Sequence, residues 1–500
     1  MSQNISIYQC FRGKRVLLSG ATGFLGKAIV ERLLAVEVAQ VYVLIRASLR
    51  QSVSERWRQS FEEDPLFAPY GAGSDPAFID RVIPVEGDVG KERLGLATET
   101  YSRLVDTVDI VINSAGLVKF HAPLDQALDV NIRGALRALE LAQEAGAKCV
   151  HISTAFVNSH RKGAISDRLE PFDEAIAGSA YPRERSLDQE ISFLQSRVSE
   201  LEKTETANRK SRRRLNERLS DAGRQIVDQR GWPNIYTYTK FLSEFNLRKH
   251  RKDCRLAIVR PSVIWAAREY PYPGWIEGAR NIDHMILAYG NGDFSRFPAN
   301  RIHSLDVIPI DDVVHAVLAS AAGLEHEPEL LVQVSSSDAN PMQFKQLARS
   351  AYQYFSENPV RKSNGSPIPV KPFAFASHWL FQLAMKFRAG IWNGTEWILK
   401  FPPDSVKPRE LTRIAAIGKR NLEREKEIFE LFWEFCSGLR TFCAHTAIDL
   451  TKSLPEDEQA IFNFDPRSIE WDEYLRRCHI PSLTKEVGSA NVQNGERAPG

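Results

Sequence analysis

Along the first 150 residues, short runs of β-branched and aliphatic residues alternate with longer stretches whose apolar positions recur every three or four residues. The runs are Val16–Ser19, Val41–Ile45, Val82–Glu86, Asp109–Asn113 and Cys149–Ser153. The longer stretches include Lys27–Val36 and Leu124–Ala145. Short continuous apolar runs are the signature of strands covered on both faces, and the longer period is that of helices. Their alternation predicts a parallel sheet with helices on both sides, an α/β doubly wound fold. The pattern returns later, with strands expected at Arg255–Arg260, Asp306–Ile310 and Leu330–Ser335 and a helix from Asp311 to Ala322.

Between Asn158 and Gly231 the alternation breaks, over a stretch far longer than an ordinary strand-to-helix loop. Residues 159–231 are therefore expected to be an insertion on the substrate side of the sheet. Within it Ile191, Leu194, Val198 and Leu201 are spaced 3-4-3, which predicts one amphipathic helix. The basic run Arg209–Arg214 follows. Its plain reading is a solvated helix face, and the alternative is a patch for an acidic, phosphate-rich partner. The layout expected is a first domain over 10–345, a linker over 346–372 that carries a Pro and Ser cluster, and a smaller helical C-terminal domain over 373–480. The polar, small-residue tail 484–500 is expected to be disordered.

Composition narrows the class without naming it. Of 500 residues 43% are hydrophobic and 26% charged, the balance of a globular protein, and a net charge of +2 points to no nucleic acid partner. Six cysteines stand at 10, 149, 254, 436, 443 and 478, with no CxxC pair and no zinc-like spacing. They are expected to be reduced, buried thiols of a cytoplasmic protein, with no metal bound. The N-terminus shows no signal-peptide pattern, and no run approaches the ~20 apolar residues of a membrane span. Nothing in the pattern specifies an oligomeric state.

The chemistry begins at VLLSGATGFLGKAIVERLL, a strand, a glycine turn and a helix. Glycines allow a tight turn and close approach to a pyrophosphate, and the helix N-terminus supplies N–H groups and a positive dipole end. Gly20, Thr22, Gly23, Phe24, Leu25 and Gly26 are the expected cradle of a dinucleotide. The second strand ends in Arg46, where an NAD-specific protein carries Asp or Glu. A guanidinium there suits a 2′-phosphate, so NADPH is expected rather than NADH. Asp88 and Val89 after the third strand are placed at the adenine, and Asn113, Ser114 and Ala115 after the fourth at the ribose and phosphates. Ligands of open α/β sheets bind at these strand C-termini.

Further on, GWPNIYTYTKFLSEF sets Tyr236 and Lys240 four apart on one helix face. Reduction of a carbonyl needs a proton donor at the oxygen, and an adjacent ammonium is expected to lower the phenol from its usual value near 10. Tyr238 has no lysine at its fourth position. At the end of the fifth strand, in HISTAFVNS, Thr154 is the expected third catalytic hydroxyl, with Ser153 as the alternative. Pro261 and Val263, in VRPSVIW, resemble the segment that packs beside the nicotinamide in the extended short-chain dehydrogenases. The GxxGxxG spacing and Thr154 resemble the extended short-chain dehydrogenases, whose fold is Rossmann-like.

The chain resembles a narrower family as well, the fatty acyl-CoA reductases, and among them the bacterial alcohol-forming ones. GATGFLGKAIVERLL, VYVLIR, HISTAFVNS, WPNIYTYTK, VRPSVIWAAREYPYPGWIEG and SLDVIPIDDVV carry the likeness. Pro273–Gly278 is the most discriminating part, and Phe464, Asp465, Ile469, Trp471 and Tyr474 resemble the end of that family's helical domain. The likeness covers roughly residues 10–480; VNSH stands where many relatives have VNG, and Asn113-Ser114 varies the strand-four turn. What it implies is NADPH-dependent reduction of a long-chain fatty acyl-CoA to an aldehyde and then a primary alcohol, in lipid metabolism toward wax esters, without a nucleophilic cysteine. Acyl carrier protein thioesters are an alternative donor, arrest at the aldehyde an alternative outcome, and another carbonyl substrate of the wider superfamily a third. The apolar stretch Phe373–Phe387, with Lys386 and Arg388, is read as packing, an acyl-tunnel wall or a peripheral contact with a membrane surface. A protein that holds NADPH without turnover is disfavoured by the Tyr236/Lys240 pair.

Overall fold

Seven strands build the central sheet: Arg15–Ser19 (β1), Gln40–Ile45 (β2), Val82–Glu86 (β3), Ile110–Asn113 (β4), Lys148–Ile152 (β5), Leu256–Pro261 (β6) and Glu329–Val334 (β7). Their order is β7-β6-β5-β4-β1-β2-β3, and every pairing is parallel. The order reverses between β1 and β4, the switch point at which such sheets bind ligands. The computed structural model describes residues 5–48, 51–204, 209–280, 282–293, 295–297, 300–362, 364–375 and 440–493, with Leu383, Lys386, Phe387 and Gly390 as isolated positions. Contacts divide the chain into one unit of Met1–Trp275, Val307–Asn340 and Arg440–Ser468, and another of Ile276–Asp306, Pro341–Leu439 and Ile469–Gly500.

In the first unit, helices Phe24–Ala35 (α1), Val53–Trp57 (α2), Gly134–Glu144 (α3), Leu187–Glu202 (α4), Arg209–Arg230 (α5) and Ile235–His250 (α6) follow in chain order. One face of the sheet is covered by α3 and α6, where Leu17, Val111, Cys149, Leu256 and Ile258 meet Ala138, Leu139, Leu141 and Leu247. The other carries the helix Ile310–Gly323, buried along its whole length and packed against α1. One expected strand lies elsewhere. Val307–Pro309 pairs with Val263–Trp265 in a separate two-stranded ribbon, not in the main sheet. Pro309 caps the helix that follows and leaves this strand only three residues.

The insertion holds two long helices where one was expected. Leu194, Val198 and Leu201 of α4 and Leu219, Ala222, Ile226 and Val227 of α5 form one cluster with Ile235, Tyr238, Phe241, Leu242 and Phe245 of α6. The basic run opens α5, and Arg212, Arg213 and Arg214 are exposed on it. Glu190 of α4 is fully buried and accepts from Tyr238 Oη at 2.7 Å, Arg230 Nε at 3.0 Å and Arg185 Nη1 at 2.8 Å. These bonds, with the apolar cluster, fasten the insertion to the outer face of α6. His160, the departure in VNSH, lies against Trp232 with centroids 4.2 Å apart and bonds the Ala175 carbonyl at 2.9 Å.

The second unit includes Asp283–Gly290, Phe344–Glu357 and Ile480–Gln493 as helices. The expected linker thus opens as a helix, because Phe344, Leu347, Ala351 and Phe355 bury one stripe of it. The tail expected to be disordered likewise begins as a helix, anchored by buried Ile480 and Leu483. Asp283 and His479, both buried, bond at 3.0 Å. Most of Phe373–Phe387 and of the expected C-terminal domain falls outside the described residues. Among the described residues, no helix is long and apolar enough to cross a membrane.

Candidate active site

The glycine turn is shaped by close approaches of backbone to backbone. Gly20 has φ +72°, and a Cβ there would lie 2.7 Å from the Ala115 nitrogen. A Cβ on Gly26 would lie 2.1 Å from the Gly20 carbonyl oxygen, so the helix can start here only without a side chain. Gly23 differs. It caps α1, is exposed, and its Cβ would stand at an ordinary 3.4 Å from the Gly20 oxygen. The protein's own packing does not require glycine at 23. Thr22 and Leu25 are half-buried, while Phe24 is buried and stacks on Trp275, centroids 5.0 Å apart. That contact sets the Pro273–Trp275 part of the family-like segment beside the turn.

At the end of β2 the Arg46 side chain is 65% exposed and its Nη1 lies 3.9 Å from an Asp88 carboxylate oxygen. Arg56 of α2 reaches the same place: its Nη2 donates to Thr22 Oγ1 at 3.1 Å and its Nη1 to the Arg46 carbonyl. Sequence reading missed Arg56, since nothing in its local pattern links it to the turn. Asp88 also accepts from the Gly90 N–H at 2.9 Å, and Val89 is buried.

The strand-four turn is tied into the sheet. Asn113 is buried, accepts from Ser19 Oγ at 2.6 Å, and its amide meets His151 Nδ1 at 3.0 Å. Its side chain is therefore committed within the sheet. Parallel pairing sets Ser19, Asn113 and His151 in register on β1, β4 and β5, a match that cannot be read from the separate runs. The Ala115 N–H donates to Ser19 Oγ at 3.2 Å; Ser114 is half-buried.

Thr154 and Tyr236 come together after β5, and Lys240 reaches the last carbonyl of that strand. Thr154 is hydrogen-bonded to the Tyr236 phenol and donates to the Pro261 carbonyl at 3.5 Å. Asn234 caps α6 by accepting from the Thr237 N–H at 2.9 Å, which starts the helix just before Tyr236. Lys240 is 3% exposed and donates to the Ile152 carbonyl at 2.7 Å. A Cβ on Gly116 would lie 3.4 Å from Lys240 Nζ, so this glycine borders the ammonium. Phe120 faces Tyr236 with centroids 6.3 Å apart. Val263 is buried next to Pro261 and Ser262.

The electrostatics differ from expectation. Burial raises the Tyr236 phenol to about 12, with the Thr154 bond acting the other way. Burial lowers Lys240 to about 8, against the pull of the Glu244 carboxylate. Desolvation sets both shifts, the Lys240 charge is not among the causes of the phenol's shift, and the ammonium is turned to the Ile152 carbonyl. Burial, then the Lys240 charge, hold His151 well below its ordinary value, so it is neutral.

Ser153 is bound elsewhere: its hydroxyl donates to Glu244, which also receives Arg260 Nε at 3.0 Å. Glu244 lies four residues past Lys240, on the same face as Tyr236 and Lys240, so helical spacing could have found it. Asn131 was also missed. It accepts from the Leu117 N–H at 2.8 Å and donates to Thr239 at 2.9 Å, tying the loop after β4 to α6.

Residues 18–317 match the family model described as male sterility protein. The chloroplastic fatty acyl-CoA reductase 2 of Arabidopsis thaliana is 30% identical to this chain, across 97% of it and 80% of that protein. The alcohol-forming fatty acyl-CoA reductase of Simmondsia chinensis is 28% identical, across 97% of this chain and 100% of that one. A solved structure, the terminal R domain from the myxalamid PKS-NRPS biosynthetic pathway, matches with a TM-score of 0.56 at 16% identity. It covers 97% of this chain and 92% of that one, a likeness of fold.

Proposed function

The chain belongs to the fatty acyl-CoA reductase family, and from that membership we propose that it uses NADPH to reduce long-chain fatty acyl-CoA, through the aldehyde, to the primary alcohol. The observation that carries the reading is the Thr154–Tyr236 hydroxyl pair, with Lys240 beside it, on a sheet whose first turn is a glycine cradle. A nicotinamide cofactor fits the residues present. Gly20 and Gly26 make the turn, and Gly23 leaves the helix N-terminus open to a phosphate. Arg46 and Arg56 are two cations at the end of β2, where a 2′-phosphate would lie.

When bound, NADPH supplies the hydride. The chain's own residues act on the oxygen. Tyr236 and Thr154 donate hydrogen bonds to the carbonyl oxygen as its negative charge develops, and Tyr236 passes it a proton. To make that bond, the one hydroxyl proton of Thr154 leaves the Pro261 carbonyl, 3.5 Å away. With its phenol at about 12, Tyr236 stays protonated through the neutral range, as a donor must. Lys240 stands as the replacement charge when that proton leaves. The thiol is expelled, and the same hydroxyl pair can act on the aldehyde oxygen. A long alkyl chain favours retention between the two reductions, since each buried methylene contributes about 0.8 kcal/mol.

The test is palmitoyl-CoA with excess NADPH or NADH, scored by cofactor consumed and by chromatography of the extract. Alcohol with two NADPH per thioester, and a marked preference over NADH, is the expected result. Free aldehyde at one equivalent, with no reduction of added long-chain aldehydes, would leave only the first step. Equal use of NADH would remove the cofactor assignment. Acyl carrier protein thioesters are assayed alongside, because exposed Arg212, Arg213 and Arg214 suit an acidic carrier.

A further inference from the structure

Three ligand-type side chains that play no part in this chemistry converge elsewhere in the first unit. Asp338 follows β7. Cys443 follows the strand Arg440–Phe442, which pairs in parallel with Gly163–Ile165, and His445 opens the helix His445–Lys452. One ligand atom of each lies within 4.8 Å of the others, and His445 Nε2 is 3.4 Å from Asp338 Oδ2. We propose that Asp338, Cys443 and His445 bind a divalent cation of the zinc class, which fastens the returning segment Arg440–Ser468 to the rest of its unit.

Thiolate, imidazole and carboxylate form a borderline-soft set that suits zinc and not magnesium or calcium. A second carboxylate supports the geometry. Asp167 is buried, caps the Thr446 N–H at 2.6 Å through Oδ2, and turns Oδ1 toward His445 Nδ1 at 4.0 Å. At 4.0 Å it is an ionic neighbour of the ring nitrogen that does not face the metal, on the side where a metal-bound imidazole ordinarily has its carboxylate. The charge balance also favours a cation. Among the described residues the ion-pair partner of both Asp167 and Asp338 is His445, with no lysine or arginine.

The backbone that carries Cys443 is also held in place before any metal arrives. The Cys443 N–H donates to the Ile165 carbonyl at 3.0 Å, and Gln333 donates to the Cys443 carbonyl at 2.7 Å. The Phe442 N–H donates to Ser337 Oγ at 2.9 Å. Three protein ligands leave a fourth position for water. Because the thiol must lose its proton on binding, affinity rises with pH.

The experiment uses the full-length chain without an affinity tag, stripped by chelator and titrated with Co²⁺. One equivalent is expected to produce the near-ultraviolet thiolate-to-cobalt band, displaced by Zn²⁺. Cys443→Ser loses the band; Asp338→Asn and His445→Gln, both at exposed positions, weaken Co²⁺ binding about tenfold or more. Zn²⁺ raises the melting temperature of the parent chain more than that of Asp338→Asn. Absence of the band in the parent chain, its persistence in Cys443→Ser, or an equal Zn²⁺ shift in all variants would overturn the site.

Discussion

Ser153 and Thr154 are neighbours with the same functional group, and a strand end sends them to different partners. Ser153 turns to the Glu244–Arg260 pair, while Thr154 turns to Tyr236. Thr154→Ala should therefore lower kcat/KM by roughly 10²-fold or more, as loss of an oxyanion donor does. Tyr236→Phe should do so by at least about tenfold, with NADPH binding nearly intact. Ser153→Ala should leave the rate near that of the parent and cost about 1–3 kcal/mol of stability. Steady-state kinetics beside denaturant titration separates these, and a larger rate loss in Ser153→Ala than in Thr154→Ala would exchange the two roles. Lys240 makes a second prediction. Its proton is held below about 8, so kcat/KM should fall as pH rises through 8, and Lys240→Arg should flatten that limb even at a reduced rate. Stability moves the other way: the folded lysine gives up its proton before the unfolded one, so this contribution grows from pH 8 toward the ordinary 10.5. Tyr236, raised to about 12, opposes it above pH 10. Tyr236 and Lys240 were legible because four residues make one helix face. The sign of the phenol's shift was not, because burial depends on the whole fold.

Among the elements, the glycine turn separates what the fold needs from what a ligand needs. Gly26→Ala forces a methyl against the Gly20 carbonyl and should cost about 1–3 kcal/mol or more. Gly23→Ala should melt with the parent chain yet bind NADPH at least about tenfold more weakly, since the added methyl would face the phosphate. Calorimetry with fluorescence titration tests both, and unchanged NADPH affinity in Gly23→Ala would move the pyrophosphate elsewhere. Arg46→Asp and Arg56→Ala should each weaken NADPH far more than NADH; equal losses would show that neither guanidinium reads the 2′-phosphate. The strand–turn–helix pattern was legible because each run is short, apolar and bounded by glycine. The helix Arg209–Arg230 was less so. Its Leu219, Ala222, Ile226 and Val227 are a thin stripe on an otherwise charged helix, and they become a core only against α4 and α6.

For the molecule as a whole, the chain's path matters more than its order. Residues 440–468 return to the unit that opens the sequence, although reading along the chain groups them with the residues before them. Composition cannot show a return, because a helix that packs on distant strands has the same periodicity as one that packs nearby. The same blindness hid the cluster at Asp338, since Cys443 and His445 have no metal-binding spacing of their own. The return has a testable consequence. Phe442, Leu450, Leu454, Phe462 and Phe464 are all buried, and Glu458 accepts from the Ile7 N–H at 2.6 Å and from Ser6. The helices of this segment pack on Ile310–Gly323, itself buried against the sheet. Each large apolar side chain contributes about 1.5–3 kcal/mol, so their loss together is comparable with the 5–15 kcal/mol that holds a domain folded. A chain ended after Asn340 keeps the glycine turn, Thr154, Tyr236 and Lys240, yet should show no cooperative melt and no NADPH binding. Leu450→Ala in the full chain should lower stability by about 2–5 kcal/mol while leaving NADPH affinity near that of the parent. Circular dichroism melts with dinucleotide fluorescence decide the matter. A cooperatively folded, NADPH-binding chain that stops at Asn340 would show that the returning segment is an accessory to the first unit and not a part of its core.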